Sequence, residues 1–331
     1  MQYNIFGNTE LRVSEIGFGA WAIGGPAMVG NTVIGWGPSD DEESRLAISA
    51  ALEAGINFFD TADFYGLGHS EKLLGEVLGN RQDVIIATKV GQKVGDGGQI
   101  AIDYSKDYVI QACEASLRRL KRDAIDYYQL HVARLSHLEQ GECVEAMQKL
   151  QQQGKIKYWG ASLLTFAPEP EASWFIQNKQ GHGFQLVLNL INQLAQPVLQ
   201  KAGQAGYGII ARMPLQFGLL SGHIKPGAVF DAQDHRHKRL PGPLIQMVTD
   251  VLRTELLPIA KECNTNLAGL ALSFVLGNRQ VSTVIPGMRN AAQVRANTQQ
   301  LVKLSASQMA YLQQLYHTRW QPVMSMLQIL G

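Results

Sequence analysis

Short apolar runs alternate along the chain with longer mixed stretches, and the alternation sets the architecture. Runs at 56–59, 84–88, 125–130, 156–160, 184–188, 207–211 and 281–285 read as strands, with a short first strand over 15–19. The stretches between them carry helical spacing. Ser39 or Asp40 caps the first helix, in which Leu46, Ile48, Ala50 and Leu52 lie among charged residues before Gly55 stops it. Further helices are predicted at 70–78, 107–120, 138–152, 171–178, 193–205, 244–263, 266–276 and 290–300. Eight strand–helix units predict a parallel sheet, and that number suits closure into a (β/α)8 barrel of the TIM type better than an open sheet. A doubly wound dinucleotide fold would place Gly-x-Gly-x-x-Gly between the first strand and its helix. Gly17-Phe18-Gly19-Ala20-Trp21 supplies only the first two glycines.

The ends of the chain depart from this rhythm. Residues 1–15 alternate about a turn at Gly7-Asn8-Thr9, with Tyr3, Ile5, Leu11 and Val13 as the apolar members, and predict a hairpin. Residues 306–331 predict a helix around 308–316 and then an irregular apolar tail with Trp320, Met324, Met326 and Leu327, which must cover the barrel flank or a neighbour. The length of 331 residues suits one barrel of about 250 residues plus insertions, so a single domain over 1–331 is expected.

Charge and cysteine usage narrow the partners. A net charge of +1 with scattered Lys and Arg leaves no basic stripe for nucleic acid. The one basic cluster, His235-Arg236-His237-Lys238-Arg239, reads first as a solvated loop and second, because it follows strand seven, as a minor cofactor contact. Cys113, Cys143 and Cys263 are widely spaced and odd in number, which argues for reduced thiols and against a metal site. No secretory pattern and no run of about 18 apolar residues occurs, so no membrane partner is expected and the cytoplasm is the default compartment.

Chemistry gathers where strands end. Phe58-Phe59-Asp60 ends on a carboxylate with Tyr65 five residues on, Lys89 closes the next strand and His131 the one after. In a barrel these C-terminal strand ends form one rim, the usual place for catalysis. Singly, each has a structural reading: Asp60 as a turn cap, Tyr65 as a packed aromatic, Lys89 as a solvated strand end, His131 as a core histidine. Convergence of all four favours chemistry. Carbonyl reduction needs a hydride donor at carbon and a proton donor near oxygen. Free tyrosine, with a pKa of about 10, is protonated but a poor acid. A neighbouring cation stabilises its phenolate, which suits Lys89, and a buried lysine in turn needs a carboxylate, which suits Asp60. His131 fits as a second donor that orients the carbonyl oxygen, or as a relay in the reverse direction.

In this order and spacing, these residues resemble the aldo-keto reductases. The resemblance runs from Gly17-Phe18-Gly19 to Ile285-Pro286-Gly287 and Asn297. It implies hydride transfer from a nicotinamide cofactor to an aldehyde or ketone, with Tyr65 as proton donor, and a hairpin plugging the barrel bottom. It places the cofactor against Gly19, Ala20, Trp21 and Asp60. Ser162 and Gln185 would hold the carboxamide, although Leu163 stands where the usual partner is Asn. Arg212 occupies the position of a ring-stacking aromatic, and a planar guanidinium can also lie on a ring. Pro214, Leu215, Gly218, Leu220 and Gly222 belong to the expected pyrophosphate cradle. Gly287, Arg289, Gln293 and Asn297 are expected at the adenosine end.

Arg289 at a helix N-terminus conflicts with the helix dipole, and a bound 2′-phosphate resolves the conflict, so NADPH is favoured over NADH. Trp21, Trp36, Phe64 and Phe217 are candidates for the substrate pocket beside Tyr65 and His131, a lining suited to small carbonyl compounds with an apolar body. No metal is required, and the oligomeric state is left open. Two other readings stand beside this one: a nucleotide-holding, channel-associated subunit with slow turnover, for which Leu163 and Arg212 leave room, and a barrel isomerase or aldolase using Lys89 as a Schiff-base amine.

Overall fold

The computed structural model describes residues 1–331. Eight parallel strands follow one another in chain order: β1 (Phe18–Gly19), β2 (Phe58–Asp60), β3 (Ile85–Val90), β4 (Ile125–His131), β5 (Ile156–Ser162), β6 (Gly183–Val187), β7 (Gly208–Arg212) and β8 (Thr283–Ile285). The ring closes between the last and the first. The Gly17 N–H donates to Val284 O at 2.8 Å, the Gly19 N–H to Pro286 O at 3.0 Å and the Val284 N–H to Glu15 O at 2.9 Å. The first strand is thus shared between a two-residue ladder with β2 and single bridges to β8. With closure, no sheet edge is left unpaired, and the strand interiors are free to be apolar throughout.

Outer helices pack around this ring as the spacing predicts: α1 (Asp41–Glu53), α2 (His69–Leu78), α3 (Lys106–Leu120), α4 (Glu142–Gln152), α5 (Glu169–Gln177), α6 (Gln196–Gln204), α7 (Leu267–Leu276) and α8 (Ala291–Gln299). Of the two candidate caps for α1 it is Asp40, whose Oδ1 accepts from the Glu43 N–H at 2.8 Å. The helix expected over 138–152 is broken in two by Gly141 at φ 83°, so a short helix, Leu135–Gln140, precedes α4. The one expected over 244–263 is Gly242–Val251 and Leu257–Glu262 joined by a π turn over Leu252–Leu256. Pro258, which has no N–H to give, sits just past that joint.

At the N-terminal ends of the strands, Phe6 of the hairpin (Tyr3–Ile5 paired with Arg12–Ser14) lies fully buried, with its ring 4.9 Å from that of Tyr127. Its seat requires glycine at the first residues of β6 and β7, where a Cβ on Gly183 or Gly208 would come within 2.6 and 2.5 Å of the Phe6 ring.

The end of the chain corrects the expectation of an irregular tail. After Ala306–Leu315 and a π turn over Tyr316–Trp320, residues Gln321–Leu330 are helical. Trp320, Val323, Met324 and Leu327 are buried, which is the i, i+3, i+4, i+7 stripe of a helix facing a core. This helix packs on Gly242–Val251 and carries its last turn to the barrel mouth. No helix is long and apolar enough to cross a membrane.

Candidate active site

Strand β3 delivers Lys89 to the rim with no exposed surface. Its Nζ donates to Asp60 Oδ2 at 2.6 Å, to Thr61 O at 2.8 Å and to Tyr65 Oη at 3.1 Å, which uses all of its N–H groups. Burial opposes the charge, but the Asp60 carboxylate and Tyr65 outweigh it and raise the Lys89 pKa, so the group stays an ammonium. The other Asp60 oxygen, Oδ1, accepts from Gln129 Nε2 at 3.0 Å and Gln185 Nε2 at 2.7 Å. Tyr65 reaches this cluster through a tight turn over Tyr65–Gly68 in which Gly66 is left-handed. A Cβ on Gly66 would lie 2.2 Å from Gly24 O.

His131 ends β4 one residue before Val132, whose φ of 60° is rare for a β-branched residue and stores strain of about 1–3 kcal/mol. The Tyr104 hydroxyl donates to His131 O at 2.5 Å, and the Val132 N–H donates to Ser162 O at 3.0 Å, so the chain on both sides of the ring is pinned. Burial, then the positive Lys89 and Arg212, push the His131 pKa well below its usual value. The imidazole is therefore neutral, edge-on to Tyr65 with centroids 6.0 Å apart, and its Nδ1 has no partner within the protein.

Two clefts meet at Tyr65. The longer, of about 350 Å³, runs from Gly19, Trp21, Asp60 and Gln185 past Arg212, Pro214, Leu215 and Gly218 to Gly287, Arg289, Gln293 and Asn297. The second, of about 300 Å³, opens on the other side toward Phe64, His131 and Ser162. Side chains along the first fit an extended dinucleotide. Gln185 spends its amide N–H groups on Asp60 and Gln129, which leaves Oε1 buried and without a partner, a free acceptor for a carboxamide. At the far end Asn290 Oδ1 accepts from the Gln293 N–H at 2.9 Å, and Gln293 Oε1 accepts from the Arg289 N–H at 2.8 Å, which fixes the start of α8. The Arg289 guanidinium holds Pro38 O and no carboxylate.

The family model described as Aldo/keto reductase family matches residues 15–317. The chain belongs to the aldo-keto reductase family.

It is 30% identical over 311 residues to a methylglyoxal reductase, YeaE, of Escherichia coli, covering 93% of this chain and 92% of that one. A "Probable voltage-gated potassium channel subunit beta" of Oryza sativa subsp. japonica is 29% identical over 321 residues, covering 91% of each. Among solved structures, the holo form of the aldo-keto reductase AKR11C1 from Bacillus halodurans superposes with a TM-score of 0.76 at 29% identity, covering 95% of this chain and 96% of that one. Membership makes the chain an oxidoreductase of a family that works with a nicotinamide cofactor.

Several residues of this aldo-keto reductase sit away from their expected contacts. Ala20 and Leu220 are fully buried and border neither cleft. Gly222 is also absent from both; a Cβ there would meet Leu267 Cδ1 at 2.7 Å, so its smallness serves packing on α7. Ser162 borders the second cleft, not the longer one, and Trp36, expected beside the substrate, borders the longer one. Arg212 borders both clefts, and its Nη2 is tethered to Leu163 O at 3.1 Å and Thr165 Oγ1 at 3.2 Å.

The basic cluster is a short helical turn, Arg236–Arg239, after His235, and only His237 and Lys238 are solvated as expected. His235 is 5% exposed and stacks on Trp21 at 4.6 Å, with the rings of Trp36 and Phe217 edge-on at 4.5 and 5.0 Å. Arg236 pairs with Asp234 at 2.5 Å and borders the longer cleft. Charge density misled the sequence reading, because the aromatic partners at 21, 36 and 217 are remote in the chain. Gln129, the second amide on Asp60, was missed for a different reason: nothing in β4 distinguishes it from an outward-facing polar residue.

Burial, then Arg239, lowers the His235 pKa from 6.5 to about 3. Between those values the unfolded chain binds a proton that the folded chain refuses, so stability falls as pH drops below 6.5. Compared with His235→Phe, the native protein should lose about 1.4 kcal/mol per pH unit over that range. Asp234, Arg236 and Arg239 are common to both and cancel. Urea midpoints of the two proteins between pH 7.5 and 5 provide the check; parallel curves would mean that His235 titrates freely.

Proposed function

We propose that this chain, as one barrel domain over 1–331, transfers a hydride between NADPH and an aldehyde or ketone. The observation that carries this reading is Lys89 Nζ, held charged between Asp60 Oδ2 and Tyr65 Oη, with a neutral His131 edge-on to the same phenol. When bound, NADPH supplies the hydride. Tyr65 gives its hydroxyl proton to the carbonyl oxygen as negative charge builds there. The Lys89 ammonium, already donating to Oη, stabilises the phenolate left behind, and Asp60 keeps that ammonium charged. The His131 imidazole offers a neutral N–H that fixes the carbonyl oxygen. Gln185 Oε1 would accept from the carboxamide, and Arg289 would meet the 2′-phosphate.

A Schiff-base role for Lys89 is disfavoured, since an ammonium with every N–H engaged has no lone pair to offer. A nucleotide-holding subunit with slow turnover remains the second reading, favoured by the likeness to the Oryza protein and by the tether that ties Arg212 to Leu163 O. Titration with NADPH and with NADH, followed by loss of NADPH absorbance on adding 4-nitrobenzaldehyde, separates the two. Tight binding with aldehyde-dependent oxidation supports the reductase; tight binding without turnover supports the subunit.

Arg289→Ala should weaken NADPH about 10- to 100-fold, as expected for loss of a charged hydrogen bond worth about 1.5–3 kcal/mol. NADH, which has no 2′-phosphate, should be nearly unaffected. Equal losses for both nucleotides would remove Arg289 from phosphate recognition.

A further inference from the structure

Two guanidiniums border the second cleft, Arg212 and Arg239, and no aspartate or glutamate does. The nearest acidic residue in sequence to Arg239, Asp234, is committed to Arg236. Asp60 attracts Arg212 through space but makes no ion pair with it, because its oxygens already take Lys89, Gln129 and Gln185. Arg212 is oriented by Leu163 O and Thr165 Oγ1, yet its Nε is buried and has no partner. Arg239 lies 5.6 Å from the centre of the Phe217 ring. Burial lowers the pKa of both guanidiniums; at Arg212 the charges of Tyr65 and Asp60 oppose the shift and that of Arg239 adds to it. His235, 5% exposed on the same wall, is neutral, and both of its ring nitrogens lack partners. The rest of the wall mixes apolar side chains, such as Ile34, Phe64 and Phe166, with neutral polar ones, such as Gln92, Ser162 and Gln216.

Buried charges in proteins are normally paired, because an isolated ion in an apolar setting costs several kcal/mol. Here two cations and an orphaned imidazole face one cavity beside the proton donor, and no aspartate or glutamate lines it, although Gly331 borders it too. A guanidinium fork is matched by the paired oxygens of a carboxylate or phosphate.

We propose that the second cleft is an anion-binding substrate pocket, so that the carbonyl compound reduced at Tyr65 carries a carboxylate or phosphate held by Arg239 and Arg212. This rests on the reductase reading. Arg239 is the more diagnostic of the two, because Arg212 also borders the cofactor cleft whereas Arg239 does not.

The test compares kcat/KM at saturating NADPH for 4-carboxybenzaldehyde against methyl 4-formylbenzoate, and for glyceraldehyde 3-phosphate against glyceraldehyde. The native protein should favour the anionic member of at least one pair by about tenfold or more, mainly through KM, and the pair that shows it identifies carboxylate or phosphate. Arg239→Gln should bring that ratio close to one, while Arg239→Lys keeps part of it. Equal rates within both pairs, or a preference untouched by Arg239→Gln, would overturn the proposal. Should no aldehyde oxidise NADPH, the reductase reading fails separately, and tryptophan quenching decides the pocket, since Trp21 borders it. Benzoate or inorganic phosphate binding more tightly than benzamide, with the difference lost in Arg239→Gln, supports the anion site; equal weak binding of all three overturns it.

Discussion

Replacing Tyr65 by Phe should lower kcat/KM for aldehyde reduction by about 10² to 10⁴, the usual worth of a positioned general acid. NADPH affinity should stay within about twofold of native, well under the tenfold that corresponds to about 1.4 kcal/mol. The substitution removes one oxygen and leaves the ring, which is stacked near-parallel to Trp21 with centroids 5.8 Å apart, so packing at the mouth is preserved. What disappears is the atom that Lys89 Nζ contacts at 3.1 Å. His131 cannot take over the proton transfer easily, since its neutral imidazole would have to give up its only N–H. Steady-state kinetics beside a fluorescence titration of NADPH would settle the matter. Undiminished turnover would exclude Tyr65 as the acid.

Lys89→Met should cost about 3–5 kcal/mol of stability, because removal of one partner strands the other charge in the interior. Asp60 is 2% exposed, and of its contacts only Lys89 is an ion; Gln129 and Gln185 donate to it but cannot neutralise it. Adding Asp60→Asn to Lys89→Met should recover much of the loss, a coupling that a double-mutant cycle reads from urea denaturation midpoints. If the single variant loses less than about 1 kcal/mol, in the range of an exposed pair, then Asp60 is in contact with water in solution.

The barrel and the rim were largely legible in the sequence for a common reason. A strand of four to seven apolar residues has one way to lie in a closed parallel sheet, so the residue that ends it is carried to the rim by topology alone. Asp60, Lys89 and His131 each close such a run, and the structure brings them together with Tyr65. The helical tail was legible too, since Trp320, Val323, Met324 and Leu327 already show the spacing, but Pro322 and the joint before it hid the continuity. The segment after β7 was not legible. Whether His235 is solvated or stacked depends on where Trp21, Trp36 and Phe217 end up, and no local pattern encodes that. Nor does the sequence reveal that Arg212 is tied to the loop after β5; that tether needs Leu163 O and Thr165 Oγ1 at one particular height of the barrel.

The final helix reaches only one of the two clefts: Leu327 and Leu330 wall the side of Phe64 and His131, and neither touches the long groove that ends at Asn297. On the proposed assignment of the clefts, the last helix serves the carbonyl side alone, while Trp21, Tyr65, Gln185, Arg212, Met213 and Phe217 serve both sides. On that assignment, drift at Leu327 or Leu330 would retune which molecules are admitted and leave the long groove toward Asn297 untouched. A barrel assembled this way can explore new substrates without first relearning how to hold its reductant.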